Sequence, residues 1–175
     1  KLNNENIRRA VLTWYNMFVE DYISVADSLI TNKEDLENIY GHITQWDVSN
    51  VTNMDSLFEN VRYLAEENLS QWNVSNVVNM DNMFKNCIYF RGTGIENWDI
   101  NNVTSMDNMF WYCSGLSYIN LENWNNKLNN VKSMDAMFIG CTNFIGIGLN
   151  TWNVSSVTNM KYMFKECKFL NINLS

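Results

Sequence analysis

The residues with the most chemistry to offer are four cysteines, Cys87, Cys113, Cys141 and Cys167. Thiols can ligate a soft metal, close disulfides or act as nucleophiles, and each use has its own spacing. Here the separations are 26, 28 and 26 residues, a repeat period rather than a CxxC or metal-ligand interval. Val61 holds the same place in an earlier segment, so an apolar packing role with four reduced thiols is expected. Side chains one repeat apart would exceed the roughly 3.5–4.5 Å between β-carbons that a disulfide requires. His42 is the sole histidine, which leaves a nucleophilic triad without parts. Gly92-Thr93-Gly94 and Gly146-Ile147-Gly148 lack the third glycine and the basic residue of a phosphate loop. Asp55, Asp81, Asp107 and Asp135 recur in phase, as outward, solvated or helix-start acids would. No catalytic residue, metal ligand or cofactor is therefore expected, and the chain reads as non-enzymatic.

The elements that carry these residues are set by the same period. Tryptophan recurs at Trp46, Trp72, Trp98, Trp124 and Trp152, opening five units of about 26 residues; the first reads WDVSNVTNMDSLFENV and the third WDINNVTSMDNMFWYC. Within a unit the apolar positions fall at helical offsets, as in Val77, Met80, Met83, Phe84 and Cys87. A short helix would put these on one stripe with Asp81 and Asn82 outward, and stacking of units would complete the core. After each cysteine a strand-like pattern follows, clearest in Leu116-Ser117-Tyr118-Ile119-Asn120-Leu121. These features predict an α/β repeat solenoid, a leucine-rich-repeat-like coil of about five repeats spanning 43–175, with an N-terminal helical cap over 1–42. In the cap, one helix is expected from about Asn4 to Ile30 and a second behind a Thr31/Glu34 capping box, closed by Gly41. The segment from Phe169 to Leu174 begins a sixth strand with no cap in view, an edge suited to end-to-end association.

These units resemble the repeats of BspA-type leucine-rich-repeat surface proteins and mycoplasma lipoproteins, which also occur in large DNA viruses and protists. The likeness covers residues 43 to about 170 and rests on the Trp, the Asn-Val-Thr-Asn-Met run, the Met-Phe pair and the Cys recurring together. It implies a right-handed solenoid used in adhesion or protein binding at a cell surface or outside the cell.

A net charge of −7, with only 18% charged residues, opposes binding to nucleic acid. Arg8-Arg9 reads as a solvated helix face, and the longest apolar stretches are broken by charges or too short to insert in a membrane. The partners expected are therefore proteins, on a host surface or within an assembly, or a glycan. The candidate binding face consists of positions that vary between units: Glu66, Asn68, Arg91, Glu96, Tyr118, Asn120 and Glu122. Trp111 and Tyr112, which replace polar pairs of other units, form a candidate aromatic contact. A structural component of a large assembly, such as a giant-virus capsid protein in the virion, is the alternative.

Overall fold

In a computed structural model of the chain, which describes residues 1–17, 30, 32–65 and 67–172, the five units lie against one another in register. The contact is made by turns. In the first unit, N–H groups of Leu57, Glu59 and Val61 donate to the carbonyls three residues back, closing turns over 54–57, 56–59 and 58–61. The alternate N–H groups, of Met54, Ser56, Phe58 and Asn60, donate across to Asn79, Asp81, Met83 and Lys85 of the next unit at 2.8–2.9 Å. The same four bonds recur at each of the three later interfaces. Every second residue thus holds its own turn while its neighbour holds the next unit.

This arrangement overturns the expected α/β leucine-rich-repeat coil. Among the described residues there is no β-strand, only single parallel bridges linking Asn53, Asn79, Ser105, Ser133 and Asn159 in succession. The α-helices α1 (Ile7–Trp14) and α2 (Lys33–Tyr40) both precede the units, whose described residues form turns, the single bridges and short 3-10 helices such as Ile95–Asn97 and Glu122–Lys127. The physical reason lies in the backbone. The third residue of the first and last turn of each set has positive φ, as a type II turn demands: Ser56 and Asn60, Asn82 and Asn86, Asn108 and Tyr112, Ala136 and Gly140, Tyr162 and Glu166. One such residue ends an α-helix. Asparagine tolerates this conformation, which accounts for four of the ten positions. In the first four units these overlapping turns bury the Val, Met, Met, Phe and Cys positions, and their counterparts, that a helix would, so the apolar spacing marks the buried face but not a helix. Asp81 and Asn82 are half-buried rather than outward. The strand expected at 116–121 is likewise irregular, although Leu116, Ile119 and Leu121 are buried, and 169–172 forms no sixth strand.

At the N-terminal end α1 buries Ile7, Ala10, Val11 and Trp14, with Trp14 edge-on to His42 and Trp46. The rest of the expected 4–30 helix lies outside the described residues. The capping box of α2 sits one residue later than expected, between Asn32 and Asp35, and Gly41 closes that helix at φ 75°. Arg8 is exposed, as expected, and also donates to the Ser56 carbonyl at 2.9 Å, while Asn4 holds the N–H groups of Thr52 and Asn53. These side chains occupy the face where a preceding unit would dock.

A candidate binding groove and the bonds that set its walls

The side chains that repeat in phase serve the interfaces between units. Each thiol donates to the phenylalanine carbonyl of the unit before it: Cys87 to Phe58, Cys113 to Phe84, Cys141 to Phe110 and Cys167 to Phe138, at 2.9–3.0 Å. Packing alone was expected; the sulfur also satisfies a backbone acceptor. Val61 suffices in the first unit because no earlier unit offers it a carbonyl. Burial raises the thiol pKa of Cys87, Cys113 and Cys141. Cys167, half-buried, is pushed up only to about 11 by the same cause. Iodoacetamide on the native chain should therefore label Cys167 well before the other three, as peptide mass spectrometry over a time course would read; equal rates would contradict the burial.

The in-phase acids are also interface groups. Asp81 accepts from Ser105 Oγ at 2.6 Å and from the Asp107 N–H at 2.8 Å, and Asp107 does the same for Ser133 and Asp135. Burial raises the Asp81 pKa, with Ser105 opposing it. The indole N–H of the tryptophan that opens each unit donates back to a main-chain carbonyl, as Trp98 does to Leu69 and Trp124 to Ile95.

The glycine strings mark a feature the sequence reading missed, an alternation between two kinds of unit. At one position the chain carries Asn68, Gly94, Asn120 and Gly148 in successive units. Gly94 has φ 91°, and a β-carbon there would lie 2.3 Å from Asn68 Oδ1; at Gly148, φ 85°, it would lie 2.7 Å from Asn120 Oδ1. The small residue lets the turn of the preceding unit close against it. Asn68 and Asn120 accordingly spend their carbonyl oxygens on the N–H groups of Ser70 and Glu122.

One groove, of about 800 Å³, opens across the second and third units, and Arg91, Glu96, Tyr118 and Asn120 meet in it. Tyr89 and Tyr118 flank it, 57% and 80% exposed. Its floor is low because Gly92 and Gly115 have no side chains: a β-carbon on Gly92 would strike Ile119 at 2.6 Å, and one on Gly115 the Tyr89 backbone at 2.8 Å. Glu96 is held by the Gly94 N–H at 2.8 Å. Of the other expected face residues, Asn68 and Glu122 are exposed but outside the lining, and Glu66 lies outside the described residues. Tyr89 was missed. Its signal was that Tyr63 and Tyr89 share a repeat position that becomes Gly115 in the third unit, leaving a gap beside the ring.

Trp111 and Tyr112 stack on each other with ring centres 6.0 Å apart, and Tyr112 is 43% exposed. Trp111 is half-buried, with the Lys85 ammonium 4.8 Å over its ring, and Tyr112 lies so close above Gly140 that a β-carbon there would meet the ring at 2.2 Å.

No curated protein and no solved structure matches the chain. The family described as "Mycoplasma protein of unknown function, DUF285" matches it twice in succession, over residues 27–127 and 115–175, so that together they span the turn-built units. The mycoplasma part of the sequence resemblance is thereby met, and the chain belongs to the DUF285 family.

Proposed function

We propose that this chain is a non-enzymatic repeat scaffold that holds another protein in the groove between Tyr89 and Tyr118, and that it works at the cell surface or outside the cell. The observation that carries the reading is the convergence of two exposed tyrosines, a guanidinium and a carboxylate, from different units, over a floor of glycines. Such anchors, aromatic and arginine side chains beside a concave surface, are those that dominate protein-binding energetics. The groove offers stacking and hydrogen bonding, and its walls are fixed by main-chain bonds between units, so little ordering is left to binding. The likeness to BspA-type surface proteins supports the location.

The test is a binding survey of the purified chain against immobilised extracellular-matrix and cell-surface proteins, repeated with the double variant Arg91→Ala, Tyr118→Ala. Both side chains are exposed, so the melting temperature should hold while affinity for any ligand found falls at least about tenfold. Undiminished binding would remove the groove from the account. A structural role in a large assembly such as a virion draws on a different feature, the apolar face of the fifth unit, and predicts stoichiometric copurification with coat proteins.

A further inference from the structure

The fifth unit presents the same surface that each earlier unit buries against its successor. Met134, the counterpart of Met160, is fully buried, whereas Met160 is 42% exposed and Tyr162 68%. Trp152, Val154, Phe164 and Ile172 are only partly covered. The backbone repeats the pattern: the N–H groups of Met160, Tyr162, Phe164 and Glu166, whose counterparts cross to the next unit at every earlier interface, have no partner among the described residues. The carbonyl of Phe164 stands where those of Phe58, Phe84, Phe110 and Phe138 receive a thiol, and that of Leu149 where Leu121 receives an indole N–H.

We propose that this face is a docking surface for a further unit of this same repeat, entering with its carbonyl row first and carrying the Trp, Val, Met, Met-Phe and Cys positions. The donor row specifies the occupant. Two copies meeting through this face would set N–H groups against N–H groups. The opposite face of a second copy is covered by its own Arg8 and Asn4. The alternation sharpens the choice further. The sequence Asn173-Leu174-Ser175 repeats Asn68-Leu69-Ser70 once a one-residue deletion after Leu170 is allowed, since Leu170 and Ile172 meet Gly146 as Leu116 and Ile119 meet Gly92. Asn68 lies against Gly94, so the occupant that matches is a unit of the Phe90-Arg91-Gly92-Thr93-Gly94 kind.

Appending a copy of residues 71–97 after Ser175 preserves the Ser70-Gln71-Trp72 spacing and gives a direct test. Amide exchange at residues 160, 162, 164 and 166 should slow at least about tenfold relative to the unextended chain, and peroxide oxidation of Met160 should slow with it. An otherwise identical extension with aspartate at the positions copied from Met80 and Phe84 should leave both rates as they were. Equal protection by the two extensions, or none by either, overturns the proposal. So does concentration-dependent protection of these amides in the unextended chain, which would assign the face to a second copy.

Discussion

Met106→Asp should cost on the order of 4 kcal/mol or more and lower the melting midpoint by about 10 °C, whereas Met160→Asp should cost less than about 1 kcal/mol. The two methionines hold the same position in the third and fifth units and make the same turn, so backbone and propensity effects cancel. What differs is the neighbour. Met106 has no exposed surface, because the fourth unit lies on it, and a carboxylate there must stay charged without a partner or take up a proton. Met160 has no such unit over it and would leave aspartate in water. Thermal denaturation followed by circular dichroism measures both. Similar losses at the two sites would mean that stability does not come from the contact between units, and would contradict the picture of mutually buried faces.

That contact was the part of the fold most legible in the sequence. A period of 26 residues, with apolar types fixed and surface types free, says that each unit buries its face on the next, and Val77, Met80, Met83, Phe84 and Cys87 are all buried as the pattern required. Secondary structure was less legible, because three-residue steps fit a chain of β-turns as well as a helix. The discriminating sign lay in Asn60, Asn82, Asn86 and Asn108, and in Gly140: residues that tolerate positive φ, recurring at the same two positions of successive units, are poor helix formers and good turn closers. Polar contacts between units were legible in type but not in partner. Nothing local tells that Cys113 faces the Phe84 carbonyl or that Asp81 ties down Ser105, because each partner is about 26 residues away in sequence and adjacent only after stacking. The groove was half legible. Variable positions named Arg91, Glu96, Tyr118 and Asn120, but Tyr89 required knowing that Gly115 leaves its flank open.

Trp98→Ala should cost about 4–6 kcal/mol, the second large loss. About 3–5 of this comes from the cavity left by a nearly fully buried indole, and about 1 from the Leu69 carbonyl, which loses the N–H donated to it at 3.0 Å. Trp98→Phe separates the two contributions, since it keeps most of the apolar contact with Phe84, whose ring centre lies 6.2 Å away, but carries no donor. A loss of about 1–3 kcal/mol is expected for it. Trp152 supplies the matching control in the fifth unit: its indole donates to Leu121 at 2.9 Å just as Trp98 does to Leu69, but the ring is only partly buried. Trp152→Ala should therefore lose the hydrogen bond in full and the cavity contribution only in part, and come out well below Trp98→Ala. If instead the two alanine variants lost equally, the hydrogen bond rather than burial would be what the tryptophan contributes. The recurrence of Trp would then be explained by the carbonyl it satisfies, as that of Cys is at its own position, with the apolar stack of secondary importance.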